Sequence, residues 1–379
     1  MNHTEKPSDI CAHLGDEYDR YLGAIVPPLF QNSLFTRKRQ NHGYAYSRVT
    51  NPTIEILEEK LAALEHAQAA RVFSSGMGAI TATISSLLQS GDHVISLRSA
   101  YYPVTEFLQN EMSKFGVESD FLENFSREEL EKAVKPNTKL IYFESPSSNI
   151  FKILPIREIV AFAKERGIAT AMDNTWATPL YQNPLDLGVD YTIHSAIKYL
   201  GGHSDVIAGV VAGSKEKMDA LRVNERAHWG ACIDPFAAWL LIRSLRTLEV
   251  RMERHSRNAQ QVARFLQAHP KVRRVYYPGL ESHEGRELAK HQMRGFSGLM
   301  SFVLNADKER SMQFVKNLEI FQEGPSWGGF ESVVNTPGIT SLAEVTRFEG
   351  VPDGLIRMSV GLEDAQSLIE DIAQALERL

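Results

Sequence analysis

Cysteine is nearly absent from this chain: Cys11 and Cys232 are the two in 379 residues. Two isolated cysteines exclude a disulfide-stapled framework and a cysteine-rich metal centre, and no metal-ligand set stands out. Long apolar runs are missing as well. None approaches the roughly 18–20 residues that would cross a bilayer. The polar start from Met1 to Asp9 carries both charge signs and lacks the apolar stretch of a secretory leader. The expectation is a cytoplasmic protein with no membrane contact. A basic excess is also lacking. The 41 lysines and arginines against 47 acids give a formal net charge of -6. No polyanion is then attracted over the whole surface, and nucleic acid is not expected as a partner.

What is present reads as a globular chain of more than one core, with 43% hydrophobic and 23% charged residues. Residues 1–50 carry no helical period and are punctuated by Pro27–Pro28 and Asn41–His42–Gly43. They read as an irregular arm that lies on a neighbouring subunit. Regular pattern begins at Asn51–Pro52–Thr53, a helix start followed by Ile54, Leu57, Leu61 and Leu64 at helical spacing. Strands are predicted at Arg71–Phe73, His93–Leu97, Leu140–Phe143, Ile168–Met172, Tyr191–His194 and Val206–Val211, with helices between several of them. That alternation predicts an α/β domain over 51–244, built on a mostly parallel sheet covered on both faces. An apolar helix over Phe236–Val250 and a basic amphipathic one to about His269 mark the join to a smaller C-terminal α/β domain, 245–379. Strands are expected there at Val272–Tyr276, Leu299–Leu304 and Leu355–Val360, before a closing helix near Asp364–Leu379.

Three features carry chemistry. Lys198 stands between the strand Tyr191–His194 and the glycine-rich turn Gly201–Gly202–His203–Ser204–Asp205. A solitary lysine is most often a solvated surface group. At the carboxyl end of a strand in an open α/β sheet it stands where ligands bind, and its amine can form a Schiff base with a carbonyl cofactor. Asp173 ends the apolar run Ile168–Met172, where an unpaired acid is costly. It is either a cap on the following loop or the partner of a protonated pyridine nitrogen, which its charge would keep protonated. Ser74–Ser75–Gly76–Met77–Gly78 lies at a strand-to-helix turn, where backbone N–H groups can take a phosphate; alone, the same residues describe a plain turn. His203 and Asp205 read as braces of the lysine loop. Trp176 and Trp327 read equally well as pocket walls or as packing.

Further motifs stand in order along the chain. Tyr46–Ser47–Arg48 with Asn51–Pro52–Thr53 is followed by Ser75–Gly76–Met77, Ala100–Tyr101 and Glu144–Ser145–Pro146–Ser147. Then come Asp173–Asn174–Thr175, Lys198 with Gly202–His203–Ser204–Asp205, and Ser326–Trp327–Gly328–Gly329 with Glu331–Ser332. Last is Ile356–Arg357–Met358–Ser359 with Gly361–Leu362–Glu363–Asp364. Each motif is modest. The ordered set, from about Leu14 to Leu379, resembles the Cys/Met-metabolism enzymes that use pyridoxal 5'-phosphate (PLP), which include the cystathionine synthases and lyases and methionine γ-lyase.

The resemblance implies the PLP-dependent transferase fold of type I. It also implies roles: Lys198 as the Schiff-base lysine and Asp173 as the pyridine-nitrogen partner. Gly76 and Met77 would give N–H groups to the phosphate, with the Ser195 hydroxyl. Tyr101 would stack on the cofactor ring and take part in proton transfer. Tyr46 and Arg48 would reach the phosphate of a neighbouring subunit, so that a dimer is the minimal active unit and a homotetramer the expected assembly. Arg357 and the backbone around Ser326 would clamp the substrate carboxylate, to which the planar guanidinium is suited. The implied activity is that of a carbon–sulfur lyase on cystathionine or a similar amino acid, by β- or γ-elimination. The alternatives are γ-replacement, of the cystathionine γ-synthase or O-acylhomoserine sulfhydrylase type, and a PLP-binding regulator without turnover. Three positions depart from the family pattern. Ile197 stands where Thr is usual, Ser148 where many members have Asn, and Pro325 where γ-acting members often have Glu and bacterial β-lyases Tyr. Trp176 and the 326–329 run resemble the bacterial β-lyases, whereas Glu323 is a candidate γ-type acid.

Overall fold

A computed structural model describes residues 6–39, 42–337, 351–352 and 354–379. Seven strands form the larger sheet: β1 (Ala69–Phe73), β2 (His93–Leu97), β3 (Glu118–Leu122), β4 (Thr138–Glu144), β5 (Ala169–Asp173), β6 (Tyr191–Ser195) and β7 (Gly209–Gly213). Their order is β1-β7-β6-β5-β4-β2-β3. The pairs from β6 through β5, β4 and β2 to β3 are parallel, while β7 runs antiparallel to both β1 and β6. Alternate residues of β1 and β7 enter different cores: Ala70, Val72, Val210 and Ala212 pack on one side, Phe73 and Val211 on the other. A strand apolar at every position therefore needs a layer on each face. Helices Pro52–Leu64 and Pro235–Leu245 supply one layer, Gly76–Leu87 and Ile156–Glu165 the other.

The smaller sheet joins β8 (Val272–Tyr276), β9 (Leu299–Leu304), β10 (Gln322–Glu323), β11 (Val333–Asn335) and β12 (Leu355–Ser359), in the order β10-β11-β12-β9-β8. Only β10 and β11 pair in parallel. Helices Leu248–Ala268, Lys308–Asn317 and Ala365–Glu377 share its core. This second unit is the smaller α/β domain expected, and its sheet is mainly antiparallel. The helix Leu248–Ala268 serves both cores, with Leu248 and Met252 in the larger and Ala259, Val262, Ala263 and Leu266 in the smaller.

Three local differences from the expected elements have plain causes. The edge strand β3 opens with Glu118, Ser119 and Asp120, so it has no apolar alternation to reveal it. The apolar run after Asp234 is two helices: Asp234 caps the first, and the chain breaks between Leu245 and Leu248. The arm is not irregular throughout. Pro7–His13 is helical, with Ile10 and Cys11 buried against its own subunit. The fully buried Lys60 ammonium holds the end of that turn, donating to the Ile10 and Cys11 carbonyls at 2.9 Å each. At the far end Asn51 caps Pro52–Leu64 through the Thr53 N–H and donates to the Phe30 carbonyl at 2.9 Å. No helix of the described residues is long and apolar enough to cross a membrane.

Candidate active site

Because β4, β5 and β6 run parallel, their last residues, Glu144, Asp173 and Ser195, emerge at one edge of the sheet. All three line a cavity of about 280 Å³. Its other wall comes from the smaller domain, through Leu299, Pro325, Trp327 and Arg357. A site at the carboxyl ends of parallel strands, closed by a second domain, is where an open α/β sheet binds ligands.

The turn after β1 is built for close approach. Ser75 caps Gly76–Leu87 by accepting the Gly78 N–H at 2.9 Å. The first N–H groups of a helix have no intrahelical acceptor, and those of Gly76 and Met77 lie at the cavity. A Cβ on Gly76 would stand 2.7 Å from Ser195 Oγ, so only glycine lets this backbone meet the β6 terminus. Asp173 is fixed next to it. Its Oδ1 accepts from the Thr175 N–H at 2.8 Å and from the Thr175 hydroxyl, whose oxygen in turn accepts the Ser195 N–H at 2.8 Å. These bonds use one carboxylate oxygen. Burial raises the Asp173 acid above its ordinary range, and the two Thr175 hydrogen bonds, with His194 and Lys198, only partly oppose this. A cation against the other oxygen would relieve that cost.

Lys198 is the one amine among the cavity residues. Burial and the Arg357 guanidinium bring it down to about 8, against the pull of Asp173. An amine so lowered is a better nucleophile near neutral pH. Its Nζ donates to Ser326 Oγ at 2.8 Å and stands 5.1 Å from the Trp327 ring centroid. The loop beyond is braced: Gly202 N–H donates to the Lys198 carbonyl at 2.7 Å, and His203 Nδ1 to the Gly201 carbonyl at 2.7 Å. Gly328, at φ 80°, would place a Cβ 3.1 Å from the Lys198 carbonyl carbon, so the 326–329 run lies directly on the lysine backbone. His203 is therefore a brace, as expected, whereas Asp205 is exposed. Trp176 and Trp327 are walls and packing at once. Trp176 Nε1 donates to the Leu299 carbonyl at 3.2 Å, and Trp327 packs 5.5 Å from Tyr199.

Tyr101 and Arg357 also reach the cavity. Arg357 Nη2 donates to the Pro325 carbonyl at 2.8 Å, and its Nη1 lies 3.5 Å from Asn149 Oδ1. Two acceptors orient the fork without neutralising it. Tyr46 and Arg48 are elsewhere. They border a surface depression with Ser33, Cys232 and Asp234, and Arg48 donates to the Ala227 carbonyl. Within one chain they are not brought to Lys198. Glu323 is exposed on β10 and does not line the cavity, so it is not placed to act there as a γ-type acid. Ile197 lines the cavity and Ser148 donates to Glu144 at 2.9 Å. Two residues of the site, Glu144 and Asn149, are assigned no role from the sequence. Glu144 ends an apolar strand just as Asp173 does, a signal open to reading. Asn149 meets Arg357 across 208 positions, and nothing local announces it.

The groups present fit PLP: an amine, a half-buried acid with one oxygen uncommitted, and a helix N-terminus whose glycine lets it meet a serine hydroxyl. Comparisons with known proteins point the same way. The chain is 42% identical over 381 residues to a protein named cystathionine gamma-lyase from Bacillus subtilis, covering 99% of this chain and 100% of the relative. It is 42% identical to a cystathionine beta-lyase from Lactococcus lactis and 39% to an L-methionine gamma-lyase from Fusobacterium nucleatum, with 97% of each chain covered in both cases. The solved structure of metB from Corynebacterium glutamicum superposes with a TM-score of 0.94 at 36% identity, over 98% of both chains. That likeness bears out fold type I. The family model described as Cys/Met metabolism PLP-dependent enzyme matches residues 8–377, and the chain belongs to that family.

Proposed function

We propose that this PLP-dependent enzyme is a carbon–sulfur lyase that acts on cystathionine or a related sulfur amino acid by β- or γ-elimination. The observation that carries the reading is the convergence of Lys198, Asp173 and Arg357 in one interdomain cavity, in a chain that matches lyases over nearly its full length. Lys198 would bind the cofactor through its carbonyl carbon. Asp173 would keep the pyridine nitrogen protonated, and the Gly76 and Met77 N–H groups with the Ser195 hydroxyl would hold the phosphate. When bound, PLP supplies a ring that takes up the electrons left when the substrate's Cα loses a proton. Lys198 would be the base for that proton. Arg357, oriented by Pro325 and Asn149, grips the substrate carboxylate. Tyr101, which lines the same cavity, would cover the ring and assist proton transfer.

Two features support a site shared between subunits. Tyr46 and Arg48 stand away from the cavity of their own chain. The arm around them exposes Leu22, Ile25 and Leu34 at 100%, 72% and 71%, apolar surface that a neighbour would cover. A homotetramer of such dimers, in the cytoplasm, is the assembly we infer.

The test is product identity by mass spectrometry from cystathionine, cysteine, methionine and an O-acylated homoserine, each with and without added thiol. Pro325 has no side-chain group to read a distal amine and gives no N–H. Elimination from more than one sulfur amino acid is therefore expected, with pyruvate favoured over 2-oxobutyrate. Reaction of the acylated homoserine alone, and only with thiol, would replace the lyase reading by γ-replacement.

A further inference from the structure

Beyond the groups assigned above, the cavity holds one more acid. Glu144 on β4 and Asp173 on β5 are register partners in adjacent parallel strands. Their side chains leave the sheet on the same face, from backbones about 5 Å apart. Glu144 is 5% exposed. Its Oε1 accepts the Tyr101 N–H at 2.5 Å and its Oε2 the Ser148 hydroxyl at 2.9 Å. Neither contact requires a charge. A protonated carboxyl can still accept from Tyr101 through its carbonyl oxygen, and it can donate its proton to Ser148 Oγ, since a hydroxyl serves both ways.

The surroundings decide between the two forms. Asp173, Tyr101 and Tyr142 face Glu144, and the cations nearest the site, Lys198 and Arg357, make no ion pair with it. Lys198 is turned to Ser326, and Arg357 to Pro325 and Asn149. Two ionised carboxylates on neighbouring strand ends repel, and only one of them has a cation to receive in the loaded enzyme. We propose that Glu144 is a positioning residue that works as the neutral acid, fixing the Tyr101 backbone while leaving Asp173 as the single negative charge at the pyridine nitrogen. Burial first and Asp173 second raise the Glu144 acid to about 8, against the pull of the Tyr101 N–H and of the Ser148 hydroxyl and N–H, which favour the charged form. The inference rests on the roles proposed for Asp173 and Tyr101.

The experiment uses the PLP-loaded enzyme and two spectroscopic readouts. One is the pH midpoint of the lysine-bound cofactor's absorption band; the other is its visible circular dichroism, which reports how rigidly the ring is held. Glu144→Gln keeps both hydrogen bonds and is permanently neutral. Its midpoint should stay within about 0.3 pH unit of wild type, with the dichroism kept. Were Glu144 ionised, its loss would lower the midpoint by about one to two units, for a charge ~6–10 Å away at an effective dielectric of ~20. A fall of that size would overturn the neutral-acid assignment. Glu144→Ala removes the acceptor of the Tyr101 N–H along with the Ser148 contact and should reduce the dichroism. An unaltered signal would overturn the positioning role. Should Glu144→Ala not fold, Glu144→Asp reads the same point, because its carboxyl stops one methylene short of the Tyr101 N–H. Asp173→Asn separates the layers of the argument: no change in its midpoint would overturn the role of Asp173 itself.

Discussion

Replacing Gly76 with alanine puts a methyl carbon 2.7 Å from Ser195 Oγ, 2.9 Å from Ser195 Cβ and 3.1 Å from Ser195 Cα. The hydroxyl could rotate away, but the backbone carbon cannot, so either the helix start or the end of β6 must shift. Overpacking of this kind costs about 1–3 kcal/mol of folding stability. Either shift also disturbs groups proposed to hold the cofactor phosphate. Loss of one charge-assisted hydrogen bond, roughly 1.5–3 kcal/mol, weakens PLP binding about 10- to 150-fold. Two residues on, Gly78 is the control. An alanine Cβ there meets Ala231 Cβ and Ser75 Oγ at 3.3 Å each, a contact that small adjustments absorb. Replacing a helical glycine also gains up to ~1 kcal/mol, so Gly78→Ala should stay within about 1 kcal/mol of wild type. Urea unfolding of the cofactor-free protein and equilibrium dialysis against PLP measure the two effects separately. The reasoning is refuted if Gly76→Ala matches wild type in both, or if Gly78→Ala is equally damaging.

The proposed sharing of the site and a buried histidine give two further tests. Arg48→Ala and Lys198→Ala subunits should each be impaired alone, yet mixed dimers should regain part of the activity, since one site then combines an intact lysine with an intact arm. No recovery despite proven subunit exchange would count against sharing. His255, fully buried, bonds the Val360 carbonyl through Nδ1 at 2.7 Å, and burial pushes its imidazolium down to about 4. The unfolded chain, at about 6.5, binds the proton first, so its contribution is complete above pH 6.5 and fades as pH falls toward 4. Between pH 7 and 4.5 wild type should lose roughly 2–3 kcal/mol more than His255→Gln in urea unfolding. Equal losses would remove His255 as the cause.

Much of the site is legible in the sequence because its chemistry sits at strand ends. Lys198 follows a strand end at the start of a glycine-rich turn, where ligands bind, and Asp173 is an acid closing an apolar run, where it needs a partner. Glu144 carries the same local signal, but its meaning depends on β4 and β5 aligning Glu144 with Asp173, and strand register between separate βα units leaves no trace along the chain. Asn149 is harder still, since its partner Arg357 belongs to another domain. The antiparallel character of the second sheet is hidden for a related reason. A short strand such as Val333–Asn335 has too few residues to show a period. The helix Pro7–His13 escapes because its two buried residues, Ile10 and Cys11, are adjacent and not spaced by a turn.

The arm has a further consequence that its fastenings set. The Lys60 ammonium holds Ile10 and Cys11, and Asn51 holds Phe30 and the start of the next helix. A stretch tied at both ends is a loop, not a tail. Its ends are already brought together when the subunit folds, and that closure entropy belongs to the monomer. A second subunit that takes up Leu22, Ile25 and Leu34 meets a chain with less freedom left to lose. In the assembly proposed above, such an association would be firm with a modest area of contact, and neither subunit would have to thread a free end past the other.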